Sequence, residues 1–414
     1  MLGRVLNTHQ QWLCRELSDM GYSVTRQVAV ADTAETIRQT VREALARVPL
    51  AIVTGGLGPT SDDLTRDAIA ALFGRTLYED AEVLRQIGTW FQGRKRPMPV
   101  STKVQAMVPE GARVLHNAFG TAPGLVIEAN PNPFNTACGS TAALVMLPGP
   151  PRELRPMFKD KLVPWLREAF PLREDYRCVN LRTTGIGESM VQELIAPSLE
   201  GLVAKGLDVG YCARPGEVDV RLSARSANAG SIVDEACDIV RHLVSRWLFA
   251  EGDDPIEATL VKRLIETGRT LVAAESCTGG RLSSRITDVP GASAVFLGGL
   301  VTYSNALKES VLGVAPATLA AHGAVSEETA REMAEGARQR YGADYAIAIT
   351  GIAGPGGGTE AKPVGTVFIA LASPEGTEVV KNLNRWERET FKQATAQQAM
   401  DMLLRKLASK EQSQ

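Results

Sequence analysis

The sequence is thin in the features that announce a metal centre, a membrane span or a nucleic-acid footprint. Its six cysteines (Cys14, Cys138, Cys178, Cys212, Cys237 and Cys277) are scattered and form no C-x-x-C pair. The four histidines, His9, His116, His242 and His322, are equally dispersed, which argues against a structural zinc site. Reduced, mostly buried thiols are expected instead. Gly, Pro or charge interrupts every apolar run before spanning length, and no membrane partner is expected. The opening residues Met1-Leu2-Gly3-Arg4-Val5-Leu6-Asn7 carry no extended apolar core of the secretory kind, so a cytoplasmic location is expected. A net charge of −2 leaves no basic excess for nucleic acid.

What is present is a chain of 414 residues, too long for one ordinary core. It reads as three segments, 1–170, 171–252 and 253–410. In the first, Thr8–Met20 and Ala34–Ala46 have helical spacing, while Ser23–Val30 and Leu50–Thr54 read as strands. That alternation predicts a parallel, doubly wound sheet, whose ligands sit beyond the carboxyl ends of the strands. Leu50–Thr54 runs straight into Gly55-Gly56-Leu57-Gly58-Pro59-Thr60-Ser61-Asp62-Asp63. The glycines can leave backbone N–H groups open to a phosphate, and Asp62, Asp63 and Asp67 offer the hard oxygens that magnesium takes. The same residues also suit a tight turn whose aspartates cap the helix from Leu64. The Pro/Asn/Gly-rich stretch Glu128–Ser140 reads as a hairpin excursion.

The middle segment reads as a small βαββα layer: a strand at Arg177–Thr184, a helix at Met190–Leu199, strands at Leu207–Ala213 and Glu217–Ser223, and a helix at Ala229–Arg246. Gly185-x-Gly187 resembles an RNA-clamping loop, but neither the charge balance nor a set of stacking aromatics supports RNA. A spacer or dimerisation role is the expectation.

The third segment carries the most chemistry. A helix at Ile256–Thr267 and a short buried strand, Thr270–Ala273, lead into Ala274-Glu275-Ser276-Cys277-Thr278-Gly279-Gly280, and a helix opens at Arg281. A hydroxyl and a thiol thus sit side by side on a strand-to-helix turn, suited either to capping or to nucleophilic attack. Ser276 needs a base. Lys308 serves if burial lowers its pKa, with Tyr303 to relay or orient the proton; His322 is the other candidate base, and Cys277 the other nucleophile. A second glycine loop, Gly351–Gly358, follows the strand Tyr345–Thr350 and offers a phosphate cradle. Val364–Leu371 reads as a further strand, and a helix at Thr390–Ala408 closes the chain.

Thr54-Gly55-Gly56-Leu57-Gly58-Pro59-Thr60-x-Asp62-Asp63-Leu64-Thr65, Gly120-Thr121-Ala122-Pro123-Gly124 and Leu147-Pro148-Gly149-Pro150-Pro151-Arg152-Glu153 resemble the amino-terminal domain of the CinA family. The third segment is similar to that family's carboxy-terminal domain. The match runs through the Ser276 motif, Val301-Thr302-Tyr303-Ser304-Asn305-x-x-Lys308, His322–Ser326, Gly351-Ile352-Ala353-Gly354-Pro355 and Lys362–Val367.

The resemblance implies a multidomain α/β protein: a molybdopterin-binding-like three-layer domain, a KH-like α+β domain and an α/β amidohydrolase domain. It implies hydrolysis of nicotinamide mononucleotide to nicotinate mononucleotide and ammonia, without a cofactor, by a Ser276/Lys308 dyad with Tyr303 beside it. Thr278, Gly279, Gly280, Gly351, Gly354, Gly356 and Arg388 would bind substrate, with Arg385 competing for the arginine's place. For the first domain it implies a nucleotide site at Gly55, Gly56, Gly58, Thr60, Asp62 and Gly120, with a divalent metal on Asp62 and Asp63 and ADP-ribose as substrate. A non-catalytic pterin- or nucleotide-binding module is the third reading, and a homodimer is expected. Family members also begin with a strand and a Gly-Thr-Glu loop ahead of the part matching Leu2–Thr8. This sequence has neither, so an exposed edge and a reduced pocket are expected in the first domain.

Overall fold

A computed structural model describes residues 7–135 and 141–411. The chain forms two compact units, Met1–Arg173 and Glu174–Gln414. Among the described residues no helix is long and apolar enough to cross a membrane.

The first unit opens with helices α1 (Thr8–Asp19) and α2 (Ala34–Leu45), then β1 (Leu50–Thr54), α3 (Thr65–Leu72), β2 (Leu77–Glu79) and α4 (Ala81–Gln92). After a 3-10 turn come β3 (Met107–Pro109), β4 (Arg113–Leu115), β5 (Gly124–Ala129) and β6 (Ala142–Leu147), with α5 (Pro151–Met157) and α6 (Val163–Ala169) closing the unit. The main sheet has the order β1-β6-β5-β4. Alternate residues of β5 and β6 bury opposite faces. Leu125, Ile127, Leu144 and Met146 pack with α2, α3 and α4, while Val126, Val145 and Leu147 pack with α1, α5 and α6. Two covered faces explain why β6 is apolar throughout.

Two expectations change here. Among the described residues of this unit's main sheet only β1 and β6 pair in parallel; β4, β5 and β6 are antiparallel neighbours. They are joined without the crossover helices a parallel pairing needs. Ser23–Val30 forms no strand: it is exposed as far as Ala29 and has no ladder partner among the described residues, and alternation alone does not supply the backbone hydrogen bonds. Of the Glu128–Ser140 excursion, residues 136–140 lie outside the described residues.

The second unit contains two modules. β7 (Tyr176–Thr184), α7 (Glu188–Val203), β8 (Leu207–Arg214), β9 (Glu217–Arg225), α8 (Ala229–Val244) and β10 (Leu248–Glu251) build an antiparallel sheet in the order β10-β7-β9-β8, backed by two helices. β10 is an edge strand of this sheet, paired with β7. The larger module runs α9 (Ile256–Thr267), β11 (Leu271–Glu275), α10 (Arg281–Thr287), β12 (Phe296–Val301), α11 (Asn305–Leu307), α12 (Pro316–His322) and α13 (Glu327–Tyr341). It ends with β13 (Tyr345–Gly351), β14 (Thr366–Ser373), β15 (Gly376–Leu383) and α14 (Arg388–Glu411). Its sheet has the order β12-β11-β13-β14-β15, parallel across the first three strands and antiparallel after them. The edge strand β15, unanticipated in the sequence, has half-buried and exposed residues and presents Glu378 and Lys381 to solvent.

β11 lies between β12 and β13. The chain leaves it through α10 on one face and reaches β13 through α13 on the other. The carboxyl end of β11 is therefore a switch point, where open α/β sheets form their ligand crevice. α14 also meets the smaller module. Arg405 donates to the Thr184 carbonyl at 3.4 Å, a Cβ on Gly185 would lie 3.1 Å from Arg405, and one on Gly216 would lie 3.3 Å from Gln397.

Gly336 of α13 fixes how closely that helix approaches the turn 308–312, since a Cβ there would fall 1.7 Å from the Leu312 carbonyl oxygen. Gly336→Ala is expected to cost about 1–3 kcal/mol by overpacking. It should also displace the Lys308 segment, read as a lower thermal midpoint together with lower turnover.

Candidate active site

The Ser276 turn is organised by the residue before it. Glu275 is fully buried and lies between Val301 and Ile349 of the flanking parallel strands. One carboxylate oxygen accepts from the Gly280 and Leu282 amides at 3.0 and 3.1 Å; the other accepts from the Ser283 amide at 2.8 Å and its hydroxyl at 2.6 Å. The carboxylate thus caps α10 from inside the protein and satisfies donors that a helix start leaves open. Gly279 and Gly280 adopt φ of +58° and +91°, a conformation that favours glycine, and so let the chain double back over Glu275.

This changes where an oxyanion can be held. The Gly280 amide is committed to Glu275, and the Gly279 amide to the Ser276 carbonyl at 3.1 Å. Among the described residues, the Cys277 and Thr278 amides are the ones in this turn with no carbonyl or carboxylate acceptor; both face the Cys277 sulfur. Thr278 is wholly buried, and its hydroxyl has no partner.

Lys308 reaches Ser276 from the far end of β12. Thr302 and Tyr303 leave the strand, the Ser304 hydroxyl caps α11 through the Leu307 amide at 3.2 Å, and Lys308 follows at the start of a wide helical turn. Its side chain is 1% exposed. Nζ stands 3.2 Å from Ser276 Oγ, and donates to the Thr302 carbonyl at 2.8 Å and the Tyr303 carbonyl at 3.3 Å. No carboxylate pairs with it among the described residues, and burial pushes its pKa below the ordinary lysine value. A lysine whose ammonium form is disfavoured, beside a serine hydroxyl, suits a general base.

The rest of the constellation sorts clearly. Ser276, Cys277, Tyr303, Lys308, Thr350, Gly351, Ala353 and Arg388 line one cavity of about 210 Å³. Tyr303 presents only its carbonyl to Lys308; its hydroxyl accepts from Arg388 at 3.3 Å. Arg388 also donates to the Gly354 carbonyl at 2.8 Å, while the competing Arg385 is exposed and lies outside the lining. Gly351 forms cavity wall because a Cβ there would lie 2.7 Å from the Thr366 carbonyl; Gly356 is exposed and touches nothing that a Cβ would meet. His322 is also outside the lining: its ring lies 3.3 Å from Glu328 and its carbonyl accepts from Lys362. Cys277 packs in the core, and burial pushes its thiol up to about 12, so no thiolate forms near neutral pH.

In the first unit the loops after β1 and β6 meet, with a Cβ on Gly149 falling 3.7 Å from Gly55 Cα. Gly55 and Gly56 have φ of +89° and +68°. Asp63 accepts from the Thr60 amide and hydroxyl at 3.0 and 2.6 Å, and Asp67 pairs with Arg66 at 2.7 Å. Gly120 leaves room for the buried Glu153, which accepts from Asn117 at 2.8 Å. Among the described residues no group of three His, Cys, Asp or Glu is placed to hold a metal. Asp62 is the carboxylate of the expected pair that stays exposed. A magnesium ion held there would draw most of its oxygens from water and substrate phosphates. A cavity of about 620 Å³, unanticipated in the sequence, is lined by Trp90, Arg94, Arg96, Ala118, Phe119 and Arg152.

These features define a multidomain α/β protein, with a buried serine–lysine pair at the switch point of its last domain. The chain belongs to the CinA family. Residues 1–168 match the probable molybdopterin binding domain, 179–250 the damage-inducible protein CinA KH domain, and 253–407 the CinA C-terminal domain. A putative competence-damage inducible protein of Desulforudis audaxviator is 46% identical over 91% of this chain and 89% of its own length. A protein of the same description from Moorella thermoacetica is 42% identical over 98% of this chain and 96% of its own.

Replacing Glu275 by Gln would turn an NH2 group toward one pair of its four donors. The substitution is expected to cost about 1–3 kcal/mol and to loosen the Ser276 turn, measured by urea unfolding.

Proposed function

We propose that the last domain hydrolyses the carboxamide of nicotinamide mononucleotide in pyridine-nucleotide salvage in the cytoplasm. The observation that carries this reading is Ser276 Oγ at 3.2 Å from a buried lysine that has no carboxylate partner among the described residues. The family resemblance supplies the substrate. Ser276 attacks the carboxamide carbon and its proton passes to Lys308 Nζ. The tetrahedral oxyanion takes the Cys277 and Thr278 amides. Lys308 returns the proton to the departing nitrogen, which leaves as ammonia. It then deprotonates the water that cleaves the acyl-serine ester and passes that proton to the leaving Ser276 Oγ, releasing nicotinate mononucleotide.

The first domain supports a second reading, hydrolysis of ADP-ribose to AMP and ribose 5-phosphate. Its cavity combines three arginines with Trp90 and Phe119, a lining suited to phosphates and a flat base. Mass-spectrometric detection of AMP from ADP-ribose and magnesium tests it.

Ammonia release from nicotinamide mononucleotide is expected to fall by roughly three orders of magnitude or more in Ser276→Ala and Lys308→Ala, with Cys277→Ala still active. Full activity in Ser276→Ala alongside an inactive Cys277→Ala would transfer the nucleophile to the thiol. Lys308 acts as base only when neutral. kcat/KM should therefore fall as pH drops through its lowered pKa, with the acidic limb below the ordinary lysine value of ~10.4.

A further inference from the structure

Two cations stand on one face at the start of α14. Arg388 and Lys392 are four residues apart, the spacing that aligns side chains on a helix. Arg388 lines the Ser276 cavity. Lys392 is half-buried and lies outside that lining, but its Nζ lies 3.7 Å from where a Cβ on Gly279 would be, which places it over the turn that carries Ser276. Gly279 has no side chain to fill that gap.

Neither cation is neutralised. Arg388 donates only to neutral oxygens, the Gly354 carbonyl and the Tyr303 hydroxyl. Lys392 has no carboxylate within ion-pair reach among the described residues. The nearest acids along the helix are engaged: Glu389 pairs with Arg281, and Glu387 accepts from the Thr390 hydroxyl at 3.0 Å. A half-buried lysine and an arginine beside a cavity, without counter-charge, suit a ligand that brings its own negative charge. At the glycine loop, the Ile352 amide is bound to the Thr366 carbonyl at 2.8 Å and the Gly354 carbonyl accepts from Arg388.

We infer that Lys392, together with Arg388, forms the anion subsite of this active site, takes the 5′-phosphate of a ribonucleotide carboxamide, and makes the enzyme prefer the nucleotide to its nucleoside. The inference rests on the amidohydrolase reading for the substrate, but the subsite can be tested without turnover. Lys392 offers a mobile point charge, and the Arg388 fork fixes its orientation through Gly354 and Tyr303.

The test compares wild type, Lys392→Ala and Lys392→Arg on nicotinamide mononucleotide and on nicotinamide riboside, which lacks the phosphate. In Lys392→Ala the ratio of kcat/KM for the nucleotide to that for the riboside should fall roughly 10- to 100-fold, mainly through KM, as expected for one lost charged hydrogen bond. Lys392→Arg should recover most of it. In a Ser276→Ala background, calorimetric binding of ribose 5-phosphate should weaken by a similar factor when Lys392 becomes Ala. An unchanged substrate ratio with unchanged ribose 5-phosphate binding overturns the inference and leaves the amidohydrolase reading standing. Lysine-dependent ribose 5-phosphate binding in a wild-type protein that releases no ammonia supports the subsite and removes the amidohydrolase reading.

Discussion

The buried carboxylate of Glu275 is the constraint on which the candidate site depends. A charge at the carboxyl end of a central strand is costly unless its oxygens are filled, and here four donors fill them. Those donors come from the first residues of α10, so the carboxylate ties strand to helix across a turn that has to expose Ser276. It also reserves the helix start for the protein. The amides of Cys277 and Thr278, next to Ser276, are left out of that cap.

Burial acts in opposite directions on the pKa values of the two ionisable neighbours of Ser276. Removing water from Lys308 disfavours its ammonium form and moves its pKa down. The same dryness disfavours the Cys277 thiolate and moves the thiol's pKa up. One environment therefore favours the neutral form of both groups. The carbonyls of Thr302 and Tyr303 hold Nζ in place without supplying an ion pair that would keep it protonated.

Much of this was legible in the chain. The α9 boundaries, its Gly268 stop at φ +61°, and α13 behind its Ser326 cap follow from local signals that tertiary packing did not override. Ser276 was readable as a candidate from its place at the end of a strand, whereas Lys308 and Arg388 were assigned to the site only through the family resemblance. What could not be read was long-range. Glu275 looks like a surface acid until two flanking parallel strands bury it. Lys392 is an ordinary helical lysine until α14 is laid across the Gly279 turn. Ser23–Val30 alternates as a strand should, but pairing depends on a neighbour that its own residues do not specify. The sheet of the first domain looked wholly parallel because strand–helix alternation at its start says nothing about the hairpins that follow.

The long closing helix has one more consequence. From Arg388 to Asp401 it spans roughly 20 Å. At the near end it carries the cations of the cavity; at the far end Asp401 and Arg405 sit under the Gly185 loop, and Gln397 under the Gly216 turn. The glycine loop that resembled an RNA clamp is thus occupied as a bearing for a beam. The small antiparallel module braces the helix whose Arg388 lines the Ser276 cavity, and strain applied to that module would be felt at the mouth of a pocket it does not line.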